Sequence, residues 1–231
     1  MTTPMHAPMP RLATASVIAL IALGLSGCST AGLFGDSPLS AASDVETTAP
    51  APTAEPLVFN SVFTDMGSVH QNTMVANELQ LQLDMWTEQK THEWFTDAQK
   101  SFSFVIDVTD MTVPVEAPFA SKRQVFMSSL SVTATTTTTS GVVETPLVLS
   151  VNPVDATLDP EALSSPYGLL ITSPKGGLQM VNNVIGPLVD DTYGLILDFS
   201  MIVSSEATPG TGSYVTQTIH QTVPVAIFPR V

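Results

Sequence analysis

Polar and apolar residues alternate with a period of two along most of the chain beyond residue 57. In Asn77–Trp86, Leu79, Leu81, Leu83 and Met85 face one way and Glu78, Gln80, Gln82 and Asp84 the other. Phe102, Phe104, Ile106 and Val108 repeat the rule, as do Leu195, Leu197, Phe199, Met201 and Val203. Tyr214–Phe228 is a long run rich in Val, Thr and Ile. Such alternation predicts strands with one buried face. Weaker strands are expected at Leu57–Phe63, Gln124–Thr135, Thr145–Val151, Gly168–Thr172 and Leu178–Val184.

Pro and Gly break these runs at Val113-Pro114, Ser165-Pro166, Ser173–Gly177, Gly186-Pro187 and Pro209–Gly212, the turn spacing of a two-sheet fold. Only Thr91–Lys100 has a helical stripe, through Trp94, Phe95 and Ala98. Asp159-Pro160-Glu161 reads as an N-cap followed by Pro at the first helical position. The expected fold is an all-β, antiparallel β-sandwich, Ig-like or a related two-sheet architecture, of eight or nine strands with one short helical segment.

Three short echoes recur in the same order. Met74–Asn77 resembles Met180–Asn183, Leu81–Asp84 resembles Leu195–Asp198, and Thr112–Val115 resembles Thr222–Val225. They admit two readings, an internal hairpin duplication or coincidence in a chain rich in Thr, Val and Leu.

The N-terminal end has another pattern. Arg11 precedes an uncharged apolar run, Leu12–Leu25, too short for the ~20 residues that a membrane-crossing helix needs. Small Ser26 and Gly27 follow, and then Cys28, the only cysteine. Leu25-Ser26-Gly27-Cys28 resembles the lipobox of bacterial lipoprotein signal peptides at all four positions. That resemblance implies cleavage between Gly27 and Cys28, a diacylglyceryl group on the Cys28 sulfur and an N-acyl chain on its amine. Two or more chains hold a protein stably at a bilayer, at about 0.8 kcal/mol per buried methylene. Ser29 rather than Asp after the cysteine points to the outer membrane if the source is Gram-negative.

These signals divide the chain into a signal peptide (1–27), a lipidated N-terminus with a tether (28–56), and one sandwich domain (57–231). The tether carries Gly32, Gly35, Pro38, Pro50, Pro52 and Pro56 among Ser, Thr and Ala, without Lys or Arg. It buries too little to offset its ordering entropy and reads as a flexible coil of about 30 Å end to end. About 175 residues remain, enough for a core without disulfides.

Charge narrows the partners. The chain has 21 acidic and 7 basic residues, a formal net charge of −14. So acidic a surface repels phosphate backbones, which excludes nucleic acid as the expected partner. An envelope or surface protein is expected instead, alongside the membrane that holds the lipid.

Candidate chemistry is sparse. Asn152, Asp155, Asp159 and Glu161 supply hard oxygens suited to Ca²⁺, although the alternating Asp pattern of an EF-hand is missing. Trp86 and Trp94 are candidate rings for a sugar or small ligand; the competing reading makes them staples for the helical segment. Met66, His70 and Met74 are soft donors four residues apart. Thr135–Thr139 reads either as a contact face for a polymer or another sheet, or as a polar edge strand or loop tip. An enzymatic reading rests on whether His70, His92 or His220 meets a carboxylate in a pocket. The expected function is a non-catalytic, lipid-anchored envelope module for structural or protein contacts, the alternative being a ligand-, glycan- or Ca²⁺-assisted binding module.

Overall fold

The chain folds as two antiparallel sheets packed face to face, in a computed structural model that describes residues 59–230 apart from 64–66, 77 and 158–162. The signal peptide, Cys28 and the tether lie outside the described residues, as does the turn expected at Asp159–Glu161.

Ten strands are present among the described residues. They are β1 (Ser68–Ala76), β2 (Leu79–Trp86), β3 (Lys100–Asp110), β4 (Val125–Thr138), β5 (Leu147–Val151), β6 (Ser164–Ser165), β7 (Gly168–Leu170), β8 (Leu178–Ile185), β9 (Thr192–Glu206) and β10 (Tyr214–Ala226). The first sheet has the order β1-β2-β3-β8. The second runs β10-β9-β4-β7-β6, with β5 also paired to β4.

Alternation explains the core. Leu79, Leu81, Leu83 and Met85 of β2 and Phe104, Ile106 and Val108 of β3 are buried against Leu130 and Val132 of β4 and Leu195, Leu197, Phe199 and Met201 of β9. Phe104 meets Phe199 edge to face across the two sheets, centroids 5.2 Å apart. That geometry contributes ~0.5–1.5 kcal/mol beyond the buried area.

The chain crosses from one sheet to the other between Asp110, the last residue of β3, and Val125, the first of β4. Arg123 grips Asp110 there with two guanidinium bonds of 3.0 and 2.6 Å, and its backbone N–H adds a third of 2.9 Å. The backbone N–H and hydroxyl of Thr112 donate to the same carboxylate. The buried Thr172 hydroxyl donates to the Arg123 carbonyl and accepts from the Val125 N–H, so the segment after β7 joins the junction. Burial alone would raise the Asp110 carboxyl; these five bonds outweigh it and hold the group well below the usual carboxylate range.

One flank of the sandwich is closed by glutamines. Gln217 of β10 donates to the Val75 carbonyl of β1, Gln221 to the Thr73 hydroxyl, and Gln71 of β1 to the Thr222 carbonyl. Upstream, the Val62 N–H donates to the Pro224 carbonyl, covering part of the β10 edge.

The structure departs from two expectations and adds to two others. The segment Thr91–Lys100 is not a helix: only Thr91–Glu93 forms a 3₁₀ turn, and Lys100 opens β3. Trp94 enters the core and its carbonyl accepts from Phe228, which denies a helix that acceptor. Phe59–Phe63 docks on β10 without forming a strand. Ser68–Ala76 is a strand that alternation did not announce. The echoes fall on unlike elements: Thr112–Val115 is a turn whereas Thr222–Val225 lies in β10, and β8 pairs with β3 instead of β9.

Breaking the junction exposes its weight. Arg123→Met leaves Asp110 charged and buried, and urea denaturation is expected to show a loss of about 3–5 kcal/mol. Because the Asp110 carboxyl is depressed on folding, its contribution is complete above ~3.9, the usual carboxylate pKa, and declines as pH falls below it. Asp110→Asn, compared with the parent chain by denaturation between pH 5 and 2, is expected to flatten that limb.

Candidate functional site

The outer face of the larger sheet gathers a broad array of hydroxyl side chains. On β4, β9 and β10 the inward residues are core, so the residues between them face outward. Register then sets them in rows. His220, Ser200, Ser131 and Ser150 form one row, and Thr222, Asp198, Thr133 and Val148 the next. Pro224, Ile196 and Thr135 follow on one side, and Thr218, Ile202 and Ser129 on the other. Across these four rows the ionisable side chains are Asp198 and His220, which sit 3.5 Å apart.

The threonine run lies inside this array. Thr135 and Thr137 face outward; Thr136 and Thr138 are buried and use their hydroxyls locally. Thr136 accepts from the Glu144 N–H, and Thr138 donates to the Val142 carbonyl at 2.6 Å. The run therefore forms the end of β4, paired with β9 on one side and, beyond the last β5 partner at Ala134, bonded to the loop at Glu144 on the other. β9 pairs with the run as far as Thr138, and Thr139 opens the turn that follows β4.

Aromatic rings stand at both ends of the face. At one end Tyr167, from the β6–β7 turn, stacks on Tyr214 at 4.3 Å, and Phe126 lies edge-on to Tyr214 at 5.7 Å. Tyr167 is 40% exposed. The Tyr214 hydroxyl donates to the Gln124 side-chain oxygen. Burial, then the nearby Glu206, raises the Tyr214 phenol. Glu206 itself is buried and accepts the backbone N–H groups of Gln124 and Gly212. At the other end the Phe59 ring lies over Gly194, where a Cβ would collide with it, and meets Tyr193 edge-on. Gly168, at φ +113°, provides the turn that presents Tyr167.

The smaller sheet carries a second cluster on its outer face. His70 of β1 lies opposite Asp84 of β2, and its Nδ1 is paired with that carboxylate. The Asn72 amide is 3.2 Å from Nε2, and Gln82 donates to the other Asp84 oxygen. Burial, then Asp84, raises the Asp107 carboxyl while His70 opposes. A cavity of about 520 Å³ opens beside the pair, bordered by Val62 and Trp86 among others. So one histidine does meet a carboxylate at a cavity wall. Both of its ring nitrogens are engaged, by Asp84 and by Asn72, and the imidazole is half exposed.

The residues singled out from sequence are dispersed. Trp94 is wholly buried against Phe63 and presents no ring to a ligand, which corrects the platform reading for that residue. Trp86 borders the cavity, far along the fold from the tyrosines. Asn152 caps a four-residue helix, α1 (Pro153–Ala156), accepting from the Val154 N–H and donating to Asp155. Asp159 and Glu161 lie outside the described residues, as do Gly27 and Cys28. Among the described residues no group of three or more His, Cys, Asp or Glu is placed to hold a metal ion. The aromatic ends were not legible because Tyr167, Tyr214 and Phe59 are far apart in sequence and only the tertiary fold brings them to one face.

No family model, curated protein or solved structure matches the chain.

Lys100 is a fully buried amine at the start of β3. Its Nζ donates to the Ala98, Gly186 and Thr96 carbonyls at 2.5, 3.3 and 3.5 Å. Burial pushes the amine down to about 8, against the opposing pull of Asp97. Enclosed by carbonyls, it acts as a built-in cation that ties the 96–98 segment to Gly186. Folding therefore releases a proton between pH 8 and the unfolded value of 10.5, so stability should rise over that window, by about 1.4 kcal/mol per pH unit at most. Lys100→Met is expected to lack that rise when denaturation midpoints are compared from pH 7 to 10.5.

Proposed function

We propose that this chain is a lipid-anchored cell-envelope protein whose sandwich is a non-catalytic interaction module. The observation that carries the reading is the outer face of the larger sheet. On a chain of net charge −14 it forms a broad floor of Ser and Thr interspersed with Ile196, Ile202, Val148 and Pro224, whose ionisable side chains are one His–Asp pair. Charge keeps an acidic protein apart from its neighbours. A neutral floor removes that repulsion over one face and makes contact there cheaper than elsewhere.

The lipobox-like residues support the location. Acyl chains on Cys28 would hold the module at the membrane, and Ser29 favours the outer membrane in a Gram-negative cell. Among the described residues no helix is long and apolar enough to cross a membrane. The stretch ahead of the sandwich would let the floor reach a component away from the bilayer.

Two measurements test the reading in intact cells. Mass spectrometry of the native protein is expected to find Cys28 as the first residue, carrying acyl chains, and Cys28→Ser is expected to shift the protein out of the membrane fraction. A photo-crosslinking residue at Thr133 or Ser200 is expected to capture a discrete envelope component, while the same residue at Thr109, on the outer face of the smaller sheet, captures none. Equal capture at all three positions, or a bare sulfur, defeats the proposal.

A further inference from the structure

We infer that the outer face of the larger sheet is a binding track for a neutral, linear polysaccharide, with stacking positions at Tyr167 and Phe59. This names the component that the interaction reading leaves open, and it rests on that reading.

Three features of the face converge on this chemistry. The first is charge: the floor between the rings is hydroxyl-bearing and nearly uncharged, so it selects neither an anionic nor a cationic polymer. The second is shape. Ser204 and Gly194 mark its ends on β9, and the ten residue steps from one to the other span about 34 Å at the rise of an antiparallel strand. An extended chain lying along the strands would meet the Tyr167–Tyr214 stack at one end and Phe59 at the other.

The third feature is where the apolar area sits. A protein-binding face concentrates its aromatic anchors in a desolvated centre and keeps polar groups at the rim. This face has its rings at the ends, and between them Ser, Thr, Asp and His alternate with Val148, Pro224, Ile196 and Ile202. The apolar side chains there are scattered and aliphatic: Ile196 and Ile202, 38% exposed each, are separated by Asp198 and Ser200, and Val148, 68% exposed, lies beside Thr133. A pyranose ring presents a patch of C–H groups flanked by hydroxyls. Aromatic faces take the C–H patch through dispersion, and Ser and Thr hydroxyls exchange hydrogen bonds with the sugar hydroxyls in either direction.

The glycine under Phe59 fits the same picture. Any side chain at position 194 would displace the ring from the end of the face. A stacking position there needs that absence of a Cβ, and the strand pays a propensity penalty for it.

The test is affinity electrophoresis of the full chain in detergent, in native gels containing hydroxyethylcellulose, galactomannan, or the neutral polysaccharide fraction of the source cells. Polygalacturonate serves as the anionic control. Retardation is expected in at least one neutral gel and not in polygalacturonate. Tyr167→Ala should weaken it roughly tenfold, as the loss of one aromatic stack predicts, with Tyr167→Phe restoring it. Thr133→Arg should weaken it too, whereas Thr109→Arg on the opposite sheet should not; circular dichroism would verify that each variant is folded. Absence of retardation in every neutral gel, or retardation unchanged by Tyr167→Ala and Thr133→Arg together, overturns the inference. If the Thr133 photo-crosslinker captures a protein while every neutral gel is negative, the interaction reading survives and the polysaccharide does not. If both assays are negative, both fall.

Discussion

The Asp110–Arg123 pair sits where the chain first leaves one sheet for the other, and the sandwich depends on that crossing. A buried carboxylate is costly unless its lone pairs are met. Here five donors meet them, two from the guanidinium, two from backbone N–H groups and one from a hydroxyl. The pair thereby fixes the end of β3 against the start of β4. Thr172 adds the exit of β7 to the same knot through its bonds to Arg123 and Val125. With the crossing fixed, Phe104 and Phe199 come into edge-to-face contact and the two apolar faces close on each other.

Much of this fold was legible in the sequence because its central strands have one wet face and one dry face. β2, β3 and β9 announced themselves through runs such as Leu79, Leu81 and Leu83. β1 did not: its side chains include Gln71 and Thr73, which take part in the glutamine contacts with β10 instead of packing a core. The helical stripe at Trp94, Phe95 and Ala98 misled for a related reason. Spacing suited a helix, but Trp94 found a deeper site in the core and Phe95 paired with the C-terminal segment at Phe228. Tertiary burial outweighed local propensity.

The candidate face was less legible than the fold. Thr133 and Thr135 stood out as a biased tract, yet nothing local says that Ser200 and His220 will lie beside Ser131. That row exists only once β4, β9 and β10 are in register over more than sixty residues of separation. Charge was visible as a total and invisible as a distribution. The floor is notable for the side chains it lacks, in a protein with acids three times as numerous as bases.

The docking of residues 59–62 on β10 has a mechanical consequence. A pull on the chain upstream of Phe59 reaches the sandwich through the Val62–Pro224 hydrogen bond and the Phe59 ring on Gly194. From there the load enters β10 and β9, two of the longest strands, joined by thirteen register pairs. Ladder bonds of that number resist sliding collectively, so tension arriving from the N-terminal side should be spread along the hairpin instead of peeling one strand at a time.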